Sequence, residues 1–206
     1  ALQAGIKTTA PMDQLKALVD KAKAKGQTIH FLPPYRFDTQ IQIMDLLGIH
    51  PSKQKATASL QLIHAVVAMR STKTAEEIQL IDNACDVGYL MHTTAMKNCR
   101  PGVFENYVAG QVDGIARSYA QGNSFATICS QHGEIMHGAP KNVPLESGRL
   151  LLCDAGCELD DYCSDNTRTM PVNGKFTQRQ RDIYQIVVDC HDLALNVAKP
   201  GVKWKD

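Results

Sequence analysis

The chain has 206 residues, enough for one large domain or two small ones, of which 44% are hydrophobic and 21% charged, a balance that can bury a core and stay soluble. Lysine and arginine number 22 against 21 aspartates and glutamates, a formal net charge of +1, which gives no electrostatic footing for nucleic acid or an anionic membrane. No apolar run approaches the roughly 18 residues of a membrane span, and no charged-then-apolar signal segment opens the chain.

The sequence starts at Ala1 without Met, amid ordinary domain sequence, as a trimmed chain would. Residues 1–70 alternate between helical and extended patterns. Pro11 stands near the start of a helix with Leu15, Leu18, Val19 and Ala22 at helical spacing, closed by Gly26. A β-rich run over 28–32 is stopped by Pro33 and Pro34. A second helix is expected over 38–47, closed by Gly48. These signals describe part of an α/β domain.

The pattern changes at 71–73. Thr74 is a good N-cap and Glu77 stands three residues on, a capping box. The helix behind it is expected to reach about residue 97, with Ile78, Ile81, Ala84, Cys85, Gly88 and Met91 along one face, and Arg100-Pro101-Gly102 breaks it. A further helix is expected over 104–120, and β-rich tracts over 124–128 and 149–172. A last helix starts at Thr177, with Gln180 completing a second capping box, and ends at Lys199-Pro200-Gly201-Val202. The first long helix ends at Arg100-Pro101-Gly102-Val103, 99 residues earlier, and at that offset His92 aligns with His191 and Arg100 with Lys199. We read one internal duplication; the alternative is that helix-Pro-Gly-Val is a common way to stop a helix.

The most informative stretch is 150–176. Residues 150–153 form an apolar strand pattern, and 162–172, with Thr167, Thr169 and Val172, a second one. A turn centred on Leu159-Asp160 sets Asp154 opposite Asp165 across an antiparallel pair, on one side of the sheet. Like charges so placed cost stability unless a cation or a proton neutralises them, and two carboxylates on neighbouring strands suit a divalent ion. Spacing alone leaves open a turn-proximal pair of aspartates in solvent, which is the better account of Asp160 and Asp161. His132 and His137 share a glycine-containing loop and are either ligands or proton donors, or structural. Of the seven cysteines, Cys153, Cys157 and Cys163 lie close together without zinc spacing; buried free thiols in a reducing cytosol account for them better than a thiolate site. No phosphate loop and no Ser or Cys nucleophile motif is visible.

Asp154-Ala155-Gly156, Tyr162, Ser164-Asp165, Thr167-Arg168-Thr169, Pro171-Val172 and Gly174-Lys175-Phe176-Thr177 together resemble aminopeptidase P, the Xaa-Pro aminopeptidase family. Arg70, Lys73 and Glu77-Ile78, and Ala126-Thr127-Ile128 followed by His137, are similar too. The resemblance is close over 71–206, and 1–70 looks like the later part of that family's N-terminal domain. It implies an α+β fold: a truncated pita-bread catalytic domain, its first half plus one helix over 71–206, preceded by part of an α/β N-terminal domain. It also implies two divalent metal ions, manganese by expectation, with Asp154 and Asp165 as two of the ligands. His137 matches a histidine bordering the substrate pocket. The remaining histidine and two glutamate ligands are expected beyond residue 206. Asn166 stands where the family has an apolar residue. The implied reaction is release of the N-terminal residue before proline by attack of a metal-bridged water, in a cytoplasmic homo-oligomer acting on peptides with proline second, without nucleic-acid or membrane partners, and the piece alone is expected to be inactive. Alternatives are a prolidase, or a pita-bread binding protein without catalysis; creatinase needs no metal, against which the Asp pair argues.

Overall fold

A computed structural model describes residues 5–205; Ala1, the expected trimmed start, lies outside them. The chain divides into two compact units, one ending at Lys73 and the other running from Thr74.

The described part of the first unit is helical. After a single 3-10 turn at Met12–Gln14 come α1 (Leu15–Ala24), α2 (Phe37–Leu47), α3 (Pro51–Thr57) and α4 (Leu60–Ser71). Gly48 ends α2 at φ 73°, a left-handed cap that costs glycine little. Gln54 is buried, and its Nε2 donates to the carbonyls of Gln40 and Ile49, both at 2.8 Å, tying α2 to α3. The strand expected over 28–32 does not form. A strand needs a ladder partner, and the described elements of this unit are all helices. The segment is held instead at the start of α4, where Ser59 N donates to the Phe31 carbonyl at 3.0 Å and Ser59 Oγ meets His30 Nδ1 at 2.7 Å.

The second unit packs two helices on sheet. Its elements are α5 (Ala75–Asn98), α6 (Glu105–Tyr119), β1 (Gly122–Asn123), β2 (Ile128–Ser130), β3 (Leu150–Ala155), β4 (Cys157–Leu159), β5 (Tyr162–Cys163), β6 (Asn166–Pro171) and α7 (Gln178–Val197). The strands form two antiparallel sheets, ordered β2-β3-β6 and β1-β4-β5. The core lies between them and α5 and α6, built from Val87, Met91, Val108, Val112, Leu151 and Cys153 among others. The buried stripe of α5 is Ala84, Val87, Gly88, Met91, His92 and Ala95, so Ile78, 51% exposed, and Cys85 fall outside the face expected for them. Gly88 fixes that rotation: a β-carbon there would stand 3.1 Å from Ser164 Oγ, and the bare backbone lets the sheet close on the helix.

The two helix ends 99 residues apart match in geometry. Both helices open on capping boxes, at Thr74 with Glu77 and at Thr177 with Gln180. The C-cap of α5, Cys99, has φ −74° and ψ 86°; that of α7, Ala198, has φ −73° and ψ 83°. Val103 N donates to the Arg100 carbonyl at 3.1 Å, and Val202 N to the Lys199 carbonyl at 3.0 Å. Gly102 and Gly201 both take positive φ, 83° and 96°. The aligned histidines differ in setting. His92 is buried with Nε2 3.3 Å from the Ala155 carbonyl oxygen, whereas the side chain of His191 is 70% exposed. Among the described residues no helix is long and apolar enough to cross a membrane.

Candidate metal centre

The strands around Asp154 are placed by the turn that joins their hairpin. Asp160 and Asp161 have φ of 51° and 66°, and Leu159 pairs with Tyr162 across them. This is the two-residue hairpin loop with both central residues left-handed, whose twist matches that of the flanking strands. Aspartate tolerates that conformation, whereas a turn centred on Leu159-Asp160 would force Leu159 into it. The turn therefore sits one residue later than expected, and every partner shifts by two. Asp154 lies opposite Thr167, not opposite Asp165, which corrects the direct facing of the two carboxylates.

Asp165 instead lies where the hairpin changes sheets. One arm passes from β3 to β4 through Gly156, and the other from β5 to β6 through Ser164 and Asp165. The crossing is held by Ser164 N donating to the Cys157 carbonyl at 2.9 Å, Cys157 N to Ser164 Oγ at 3.1 Å and Ser124 Oγ to the Ser164 carbonyl at 2.8 Å. The last rung of the β3–β6 ladder is Ala155 with Asn166. Asp154 stands one residue inside it and Asp165 one residue outside it on the facing arm, the diagonal relation that in a regular ladder separates residues by about 7–8 Å. Asn166, in that rung, is half-buried beside Gly88, so its amide is packed where an apolar side chain was expected.

Burial alternates along β3. Leu151, Cys153 and Ala155 face the core, and Leu150, Leu152 and Asp154 face the other way, half-buried. On that second side Leu150, Leu152 and Thr169 line a cleft of about 540 Å³ together with Gln131, Gly133 and Glu134. Asp154 Oδ1 is sealed from solvent and has no hydrogen-bond partner among the described residues. A buried carboxylate oxygen with nothing donating to it is costly, and a cation is the group that completes such an acceptor. Asp165 is exposed, open to the same ligand chemistry from the solvent side. The two carboxylates fit a hard divalent ion, which takes oxygen ligands. Among the described residues no group of three or more His, Cys, Asp or Glu side chains could hold an ion.

His137 lies in the loop after β2, the strand whose Ile128 is the other ladder partner of Asp154. It is exposed, at φ 56°, a conformation in which histidine is over-represented. His132 Nδ1 meets Glu134 Oε1 at 2.8 Å. The cysteines take no part in the site. All seven are free; Cys153 and Cys157 are buried and Cys163 is exposed. Cys129 and Cys153 are ladder partners on the core side, and the hydrogen bond between their sulfurs pushes the Cys129 thiol above its ordinary range. Burial pushes Cys99 up to about 11. The sequence reading missed Glu105, a fully buried carboxylate at the start of α6; its one signal was an acid among apolar positions directly after a helix start.

Residues 74–205 thus form a mixed helix-and-sheet fold with a pair of aspartates at a sheet switch. The model of metallopeptidase family M24 matches residues 79–206, and the chain belongs to that family. It is 40% identical over 156 residues to the Xaa-Pro aminopeptidase of Escherichia coli K12, an alignment covering 73% of this chain and 35% of that protein. Among solved structures, aminopeptidase PepP from Pseudomonas aeruginosa is similar at a TM-score of 0.79 and 27% identity, covering 99% of this chain and 48% of the other. A prolidase from Pyrococcus furiosus is similar at 0.64 and 28%, covering 71% and 48%. The chain spans about a third of the length of the curated relatives it matches.

Proposed function

We propose that this chain supplies the first two carboxylate ligands, Asp154 and Asp165, of a dinuclear metal centre in an Xaa-Pro aminopeptidase. The observation that carries the reading is Asp154 Oδ1, a buried acceptor without a donor among the described residues, one residue inside the last ladder rung, with a second aspartate one residue beyond that rung on the facing arm, in a chain of the M24 family. Two divalent ions, manganese in this proposal, would supply water of lowered pKa and polarise the peptide carbonyl. The chain's own residues do the rest of the work assigned here. Asp154, its backbone fixed in a ladder, presents its ligand oxygen from a set position. Asp165 presents its carboxylate from the sheet switch. His137, on the loop beside the cleft, hydrogen-bonds the peptide. Leu150 and Leu152, on the same side of β3 as Asp154, would give the substrate an apolar wall in the adjoining cleft, whose lining includes neither aspartate nor His137. No side-chain nucleophile is required.

The substrate is a peptide with proline at the second position, and the protein is cytoplasmic. The prolidase reading shares the same two ligands and is separated from it by substrate length: a prolidase cleaves the dipeptide only. Self-association is also part of the proposal, since α7 exposes Ile183, Ile186, Val187 and Leu193, each more than half accessible, and a second copy would cover them; sedimentation of the chain at micromolar concentration tests this, a monomer refuting it. The test of function uses the complete protein carrying this chain. Manganese-dependent release of the first residue from Xaa-Pro-containing tripeptides is expected, lost in Asp154→Asn and in Asp165→Asn with a matching fall in bound metal. Full activity in either variant would overturn the assignment. The 206 residues alone are expected to bind metal weakly and to release nothing, because two carboxylates leave most of a two-ion shell to water.

A further inference from the structure

We propose that Glu105 is a positioning residue, one that holds both stems of the 131–141 loop and so sets His137 against the peptide; the proposal rests on the reading of His137 given above. Glu105 is the first residue of α6, and it is fully buried. Among the described residues it has no ion-pair partner. Burying a carboxylate without a cation is expensive, and for stability alone an apolar side chain of the same volume does as well or better.

What the carboxylate does have is backbone. Oε1 accepts from Gln131 N at 2.8 Å and from Ser130 Oγ at 3.3 Å. Ser130 Oγ in turn accepts from His132 N at 3.0 Å. Oε2 accepts from Lys141 N at 3.1 Å. The entering stem of the loop is therefore tied to one oxygen and the leaving stem to the other, the leaving stem being held also by Asn106 N donating to the Lys141 carbonyl at 3.2 Å and Glu105 N to the Val143 carbonyl at 3.1 Å. The positive end of α6 stabilises the charge from beneath. Gln131, also buried, repeats the link further out: its Nε2 donates to the Pro144 carbonyl at 3.0 Å and its Oε1 accepts from Glu146 N at 2.9 Å. Between the stems lie Gly133, Glu134, Ile135, Met136 and His137, all exposed. Within this span Ile135 N donates to the His132 carbonyl at 2.9 Å, a bond that shapes the loop without anchoring it. The loop that carries His137 thus has both its stems bound to one buried carboxylate that lies outside the loop.

The isosteric amide tests this, because it has one acceptor oxygen where the carboxylate has two. In Glu105→Gln an NH2 group faces either Lys141 N or Gln131 N, donor against donor, and one stem loses its side-chain anchor while side-chain volume is kept. The complete protein is prepared as wild type, Glu105→Gln, His137→Ala and the double variant. Expected are a loss of roughly tenfold or more in kcat/KM on Xaa-Pro peptides in Glu105→Gln, unchanged metal content, and amide exchange in the 131–141 peptide faster by about tenfold. On the His137→Ala background the same change is expected to cost less than about threefold, since residues acting as a unit are not additive. Ser130→Ala, which cuts only the relay to His132 N, is expected to move exchange the same way by less, and it serves if Glu105→Gln does not fold. Equal fold losses on both backgrounds, or exchange unchanged while His137→Ala is impaired, would overturn the role of Glu105. Wild-type turnover in His137→Ala would instead remove the reading of His137 itself.

Discussion

The backbone of Gly156 approaches Ser164 so closely that a β-carbon on residue 156 would stand 1.8 Å from the Ser164 carbonyl oxygen. That contact is where the hairpin changes sheets, and the next residue after Ser164 is Asp165. No rotamer relieves a clash between a β-carbon and backbone, so Gly156→Ala must push the Ser164–Asp165 arm away from Gly156. The expected cost is about 1–3 kcal/mol from overpacking. Manganese affinity of the complete protein should fall by roughly 10–100-fold, as when a ligand loses its support. Calorimetric titration with Mn²⁺ checks this, and an unchanged affinity would mean that Asp165 is not placed by this crossing.

Asp154 separates stability from function. Its Oδ1 is buried without a donor, so in metal-free protein the carboxylate contributes little and costs desolvation. Asp154→Ala is expected to leave the metal-free melting temperature unchanged or raise it, while abolishing the rise that Mn²⁺ produces in the wild type. Melting curves of the complete protein with and without Mn²⁺ decide the matter. A drop of several degrees in the metal-free variant would show that Asp154 has a protein partner.

Much of this arrangement was legible in the sequence, because the strongest signals are local. The capping boxes at Thr74 and Thr177, the helix stops at Pro101 and Pro200, and the apolar run before Asp154 each act within a few residues. Register was not legible, because it depends on which two residues take left-handed dihedrals, and Leu159-Asp160 and Asp160-Asp161 differ by a single position, with only the second pair left-handed in the structure. The extended run over 28–32 has strand-forming residues but no ladder partner among the described residues of its unit. Glu105 escaped because its donors, Gln131 and Lys141, come from 26 and 36 residues away.

The buried Cys99 thiol predicts an alkaline limit. Cys99 titrates at 9.0 when unfolded and at about 11 when folded, because burial penalises the thiolate. The unfolded state therefore gives up its proton first as pH rises. The stability linked to this proton is fully present below pH 9 and is lost between about pH 9 and 11. Urea unfolding across that range should show the midpoint falling, and Cys99→Ala should flatten part of the fall. The same burial predicts that iodoacetamide at pH 8 reaches Cys85, Cys163 and Cys190, which are exposed, and spares Cys99, Cys129, Cys153 and Cys157 until the chain is denatured. Peptide mass mapping reads this directly.

The two matched helices give a last comparison. Val87 in α5 corresponds to Ile186 in α7 at the 99-residue offset. Val87 is 8% exposed and Ile186 57%. Truncating a core side chain leaves a cavity, and truncating an exposed one does not. In this chain Val87→Ala is expected to destabilise by about 1–3 kcal/mol, lowering the melting temperature by roughly 2–12 °C. Met91→Ala, at a fully buried position of the same stripe, should cost more, about 2–5 kcal/mol. Ile186→Ala should stay within about 0.5 kcal/mol, as exposed positions do. The same three substitutions in the complete protein test whether the α7 face is covered there. If it is, the Ile186→Ala cost rises toward that of Val87→Ala while the α5 values stay put. An Ile186→Ala cost that remains within about 0.5 kcal/mol in the longer protein would mean that this face stays in solvent and that α7 does not share the packing of α5.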